Sequence, residues 1–130
     1  MNRLKIKPLS VNRAWQGKRF KTPQYKKFSQ LMKLLLNVLR PKKPEGDTYF
    51  AHYVWGFSSQ SSDVDNPTKP TQDVLFDYWG MKSKDQRVKF MILEAVSVEK
   101  GDEFIGFHVD DKENLVEYLE NLVKTLKKED

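Results

Sequence analysis

Residues 48–57 place Tyr49, Phe50, Tyr53, Val54, Trp55 and Phe57 in one short run. Aromatic and β-branched side chains at this density favour pleated backbone, so the run predicts a β-strand. Helical periodicity stands before it and after it. Thr22-Pro23 is a helix start, with Thr as N-cap and Pro at the first helical position. Tyr25, Phe28, Leu31, Met32, Leu35, Val38 and Leu39 follow at spacings of three and four, up to Pro41. A further helix is expected from about Pro70 to Tyr78, with Thr68 as its cap and Val74, Leu75, Tyr78 and Trp79 on its buried face. The last helix starts at an Asp110/Asp111 cap and carries Leu115, Val116, Leu119, Leu122, Val123 and Leu126, a stripe expected to face the core.

The remaining segments read as strands and loops. Leu4–Lys7 alternates apolar and basic residues, as a short edge strand does before Pro8, and Ser10–Lys21 reads as a loop. Val88–Val98 looks like a central strand. Glu103–Val109 is expected to pair with it across a hairpin turn at Lys100-Gly101-Asp102. The order β-α-β-α-β-β-α predicts an α+β fold, a small mixed sheet of three to four strands packed against two to three helices.

With 130 residues, 38% of them hydrophobic, the chain can bury a core as one domain spanning 1–130. It has no cysteine, which excludes disulfides, thiolate zinc sites and a cysteine nucleophile. Two histidines, His52 and His108, cannot form a three-histidine zinc site, so any metal is expected on oxygen ligands. Both lie in strand-like segments, where a packed or surface role is expected. No apolar run is long enough for a membrane span or a signal peptide.

Charge is unevenly placed. Residues 1–46 hold thirteen Lys/Arg against Glu45 alone, whereas residues 47–130 hold ten Lys/Arg against seventeen acids. A basic half joined to an acidic half suits a polyanion held by one part while carboxylates work in the other. Mutual neutralisation within the fold is the plainer alternative. Candidate phosphate contacts are Arg13, Lys18, Arg19, Lys21, Lys26, Lys27 and Lys33, interleaved with Trp15 and Phe20.

The carboxylates concentrate at Asp63-Val64-Asp65-Asn66, followed by Lys69, Asp73, Asp77 and, before a strand, Asp85. Asp63 and Asp65 project to one side of extended backbone and repel each other unless a cation, protons or solvent relieves them. The run is not an EF-hand, because its sixth position is Thr68 rather than Gly and its twelfth is Val74 rather than Glu. Asp and Asn are also ordinary turn residues, and that reading stands beside the catalytic one.

This spacing resembles the RusA family of Holliday-junction resolvases, small phage and prophage endonucleases. The likeness covers most of the chain: Pro8-Leu9-Ser10-Val11-Asn12-Arg13, the Thr22–Arg40 helix, Asp63-Val64-Asp65-Asn66, Lys69, Asp73 and Asp85-Gln86-Arg87-Val88. It implies a cytoplasmic α+β homodimer that cuts four-way DNA junctions with Mg²⁺ or Mn²⁺. By position, Asp63, Asp65 and Asp85 would be the metal-binding catalytic acids, Lys69 the catalytic base-charged residue, and Asp73 a supporting acid. Two positions depart from the family: Lys84 stands where a second acid often precedes the last strand, and Ser62 where a basic residue precedes the first Asp. Two other functions fit the charge pattern: a non-catalytic basic DNA-binding protein, or an interaction module whose charged halves bind each other between subunits.

Overall fold

The computed structural model describes residues 1–16, 20–60 and 62–129. Its architecture is α+β: a four-stranded mixed sheet with four helices. The elements in order are β1 (Asn2–Leu4), α1 (Val11–Ala14), β2 (Trp15–Gln16), β3 (Phe20–Lys21), α2 (Pro23–Leu39), β4 (Tyr49–Phe57), α3 (Thr68–Tyr78), β5 (Val88–Ser97), β6 (Phe104–Asp111) and α4 (Leu115–Lys128). The main sheet runs β1-β6-β4-β5, and β2 and β3 form a separate two-stranded ribbon. No helix among the described residues is long and apolar enough to cross a membrane.

α2 forms as its sequence dictates. Thr22 Oγ1 accepts from the Tyr25 amide at 3.2 Å and donates to the Arg13 carbonyl at 2.6 Å, so one hydroxyl caps the helix and ties it to α1. The helix ends at Arg40, which adopts left-handed backbone ahead of Pro41. Tyr25, Phe28, Met32 and Leu36 face inward.

β4 is the centre of the sheet, parallel to β5 and antiparallel to β6. Tyr49, Ala51, Tyr53 and Trp55 enter the main core with Ile105, Phe107 and Val109 of β6, under α2 and α3. Phe50, His52 and Gly56 are buried on the opposite face. A Cβ on Gly56 would come within 2.3 Å of the Phe104 ring, so glycine lets the two strands close there.

Several expectations from sequence are corrected here. β5 and β6 do not form a hairpin, and β5 is an edge strand, not a central one. The connection between them crosses the end of β4, where the Val98 amide donates to the Phe57 carbonyl at 2.8 Å and Ser58 Oγ donates to Glu103 at 2.7 Å. β4, apolar on both faces, takes the double-sided position, and exposed Phe90, Met91 and Val96 mark β5 as the edge. The first strand spans Asn2–Leu4 because the Ile6 amide turns back onto the Leu4 carbonyl at 3.0 Å. The expected loop 10–21 instead contains α1 and the β2/β3 ribbon, with residues 17–19 outside the described residues. α3 begins at Thr68, whose side chain makes no cap bond. α4 buries none of its residues, so its leucine stripe is not core.

Candidate active site

The Asp63–Thr68 segment is a double turn held from three sides. The Asn66 amide donates to the Asp63 carbonyl at 3.4 Å, and the Thr68 amide to the Asp65 carbonyl at 3.1 Å. Asn66 Nδ2 donates to Asp63 Oδ2 at 3.3 Å. From β4, Trp55 Nε1 donates to the Val64 carbonyl at 2.6 Å, and from α1 the Val11 amide donates to the Asn66 carbonyl at 2.9 Å. The Asp-x-Asp-Asn motif therefore does shape a turn, and that turn presents its carboxylates from a fixed platform.

A cavity of about 370 Å³ opens beside it, lined by Asp65, Lys69, Gln72, Asp73 and Asp85 together with Thr68. Four of the five residues singled out from the motif thus share one site. Asp65 comes from the turn and Lys69 and Asp73 from consecutive turns of α3. Asp85 comes from a 3₁₀ turn, Asp85–Arg87, that leads into β5. Asp63 lies apart. It lines a neighbouring, larger cavity of about 790 Å³ with Arg13, Lys27, Asn12 and Ser10.

The electrostatics of the smaller cavity are perturbed. The Asp73 carboxyl is raised above its ordinary range, first by burial and further by the charge of Asp85, with Lys69 and Lys21 opposing. Lys69 Nζ approaches Asp73 Oδ2 to 3.3 Å. Beneath them, buried Tyr53 donates from its hydroxyl to Gln72 Oε1 at 2.8 Å, and its phenol is pushed up by burial and by Asp85 and Asp73. The hydroxyl of Thr68, also on the cavity wall, is buried without a hydrogen-bond partner. A shifted Asp73 carboxyl beside a buried, unpaired hydroxyl makes this cavity the candidate functional site.

Asp65, Asp73 and Asp85 are hard oxygen donors, suited to Mg²⁺ or Mn²⁺ rather than to a soft metal. Among the described residues, no group of three such side chains is drawn together tightly enough to form a ready-made metal cluster. The donor chemistry fits a hard cation, and the carboxylates stand as a cavity lining rather than a closed cage.

The basic residues divide. Arg13 and Lys27 line the larger cavity, and Lys26 is exposed on α2 nearby. Lys21 lies 4.7 Å from the Tyr25 ring centroid, a cation–π contact. Lys33 is engaged in an ion pair with Asp77 at 2.7 Å, which takes it out of the set free to meet phosphate. Lys18 and Arg19 lie outside the described residues, as do the side chains of Trp15 and Phe20.

Sequence reasoning missed a second polar cluster on the far face of the sheet. Buried His52 is hydrogen-bonded through Nδ1 to the Tyr118 hydroxyl at 2.6 Å and through Nε2 to Glu94. His108 stacks on Tyr118 with ring centroids 4.7 Å apart. Tyr118 is pushed up to about 12 by burial and by Glu94, so its hydroxyl keeps its proton beside the imidazole. The pattern His52/Glu94 crosses two strands, and no local sequence signal joins them.

In comparison with known proteins, no family model matches the chain and none of the curated proteins matches it significantly.

Proposed function

We propose that the protein is a metal-dependent endonuclease that resolves four-way DNA junctions by phosphodiester hydrolysis. The observation that carries this reading is the convergence of Asp65, Lys69, Asp73 and Asp85 on one cavity, from three separate elements. The resemblance to RusA resolvases supports the same residues independently of where the chain folds them.

Phosphodiester hydrolysis needs an activated water, stabilisation of charge on phosphorus, and help for the leaving oxygen. A bound Mg²⁺ or Mn²⁺ would supply the first two, held by Asp65 and Asp85 with Asp73 beside them. Lys69 sits at the rim, 58% exposed, and would offer its ammonium to the scissile phosphate or to the charge that develops on it. Asp63, bonded by Asn66, would serve to shape the turn that presents Asp65. Arg13, Lys26 and Lys27, next to the larger cavity, would hold the flanking backbone. Two active sites related by a two-fold axis would nick the two equivalent strands of a junction, which implies a homodimer.

A second reading, a non-catalytic basic DNA-binding protein, is favoured by one observation: Asp63 is already bonded within the turn by Asn66. Asp65→Asn separates the two. The nuclease reading expects cleavage to fall about a thousandfold, equivalent to roughly 4 kcal/mol, while junction binding in EDTA is unchanged or tighter. Cleavage near the wild-type rate would remove Asp65 from the site. Loss of both activities with a large drop in melting temperature would make it a structural turn residue.

A further inference from the structure

Among the described residues three polar side chains are buried: His52, Thr71 and Gln72. His52 is satisfied by Tyr118 and Glu94, and the Thr71 hydroxyl is sealed in the core without a partner. Gln72 differs from both. It is 8% exposed, and it borders the cavity of Asp65, Lys69, Asp73 and Asp85.

One end of its amide is fixed. The hydroxyl of Tyr53, a residue with no exposed surface, donates to Gln72 Oε1 at 2.8 Å. The reversed amide would make Nε2 the donor and leave the phenol proton with no acceptor among the described residues, a costly arrangement in the core. Burial and the charges of Asp85 and Asp73 push the phenol up, so Tyr53 keeps its proton and remains a donor. Oε1 is therefore occupied, and Nε2 turns its two hydrogens to the cavity. No described residue accepts them, the cavity's own carboxylates included. Nor is this nitrogen sealed from solvent, as the hydroxyl of Thr68 is one turn earlier on α3.

We propose that Gln72 Nε2 donates to one non-bridging oxygen of the DNA phosphate bound in this cavity, with Tyr53 as the positioning residue behind it. The inference rests on the nuclease reading of the site. An amide nitrogen only donates, so its partner must be an acceptor, and a phosphate oxygen is one. Lys69 and Gln72 are three residues apart on α3, neighbours on one helix surface, so both reach the same phosphate. The ammonium supplies charge and the amide supplies direction. With three acids against Lys69, the cavity favours a cation over an anion. A neutral donor attracts a phosphate oxygen without competing with that cation for the carboxylates, as another lysine would.

The test is a binding measurement on the full chain, with Ca²⁺ in place of Mg²⁺. The four-way junction carries a methylphosphonate at one phosphate at a time around the crossover, each as two separated diastereomers. Both diastereomers lose the charge, but each loses a different oxygen, so a difference between them reports a directed contact. At one position the wild type should prefer one diastereomer roughly tenfold, on the order of a hydrogen bond to a charged group. Gln72→Leu keeps most of the bulk and should remove most of that preference without lowering the melting temperature. Tyr53→Phe keeps the ring stacked on Trp55 and should reduce the preference too, because the amide is then free to turn. Should Gln72→Leu not fold, Gln72→Glu and Tyr53→Phe carry the same comparison. A structural Gln72 would change stability and leave the preference intact, and that result overturns the proposal. So does a wild type with no preference at any position; if that protein still nicks the junction in Mg²⁺, only this inference falls. A preference that depends on Gln72 in a protein that never nicks upholds the contact and removes the nuclease reading alone. Absence of junction binding removes both.

Discussion

Lys69 Nζ lies 3.3 Å from Asp73 Oδ2, one helical turn along α3, yet the Asp73 carboxyl still titrates above the ordinary aspartate range. Burial and the nearby charge of Asp85 outweigh the lysine. Within α3 the order Lys then Asp is the less favourable one for a surface pair, so stabilising the helix is a poor reason for this contact. A carboxyl held above its ordinary range beside an ammonium in a cavity fits the functional role proposed for Asp73 better.

The first prediction follows from that discomfort. The folded-state pKa of Asp73 exceeds the unfolded one, so as pH rises the unfolded chain loses its proton first. Stability therefore falls between the unfolded value near 3.8 and the higher folded value, and stays reduced above it. Asp73→Asn removes this cost. Its melting temperature should exceed that of the wild type at pH 7, and the difference should shrink by pH 3, while junction cleavage drops at least tenfold. Melting curves at the two pH values check it; a variant less stable at pH 7 than at pH 3, relative to wild type, contradicts it.

Asp77 behaves in the opposite sense. The hydrogen bond and charge from Lys33 hold its carboxyl below the ordinary range, so its contribution is present above the unfolded pKa and fades as pH falls through the folded one. Both side chains are 42% exposed, which limits the pair to about 0.2–1 kcal/mol. Lys33→Ala should cost no more than that in chemical denaturation. It should leave DNA affinity within about twofold, unlike loss of Arg13 or Lys27.

Binding should depend steeply on salt. If about six phosphates are neutralised, affinity falls roughly 10³-fold between 50 and 200 mM. Arg13→Ala/Lys27→Ala should lower the slope of log K against log salt by about two. Fluorescence anisotropy with a labelled junction measures both, and an unchanged slope would place the DNA elsewhere.

Tyr118→Phe deletes the hydroxyl that is hydrogen-bonded to Nδ1 of buried His52 and leaves that ring nitrogen without its partner. The expected cost is about 1–2 kcal/mol. Hydrogen exchange should quicken first in residues 115–128, because Tyr118 ties α4 to the sheet at Phe50, His52 and His108. Uniform acceleration across β4 and β6 would mean the cluster supports the sheet rather than the helix.

The parts of this fold legible in the sequence are those whose signals are local. Thr22-Pro23 and Pro41 bracket α2 correctly, and the aromatic run at 49–57 is the central strand. The β5/β6 hairpin was misread because a turn-like Lys100-Gly101-Asp102 says nothing about which strand lies between its arms; Gly101 indeed adopts positive φ, but in a crossover past the end of β4. The leucine stripe of α4 was misread as core because periodicity shows that a face is apolar, not what covers it. At the candidate site, residue spacing found Asp65, Lys69, Asp73 and Asp85. It could not foresee that Asn66 would hold Asp63 towards the larger cavity, nor that Asp77 would be taken by Lys33 from a helix 44 residues away.

The central claim is tested most directly by incubating the wild-type protein with a labelled four-way junction and a matched linear duplex, in Mg²⁺, Mn²⁺ or EDTA. The account predicts paired nicks in the junction with either metal, none in EDTA, and little cutting of the linear duplex. A junction that is bound but left intact in both metals would contradict it and leave a DNA-binding protein in its place.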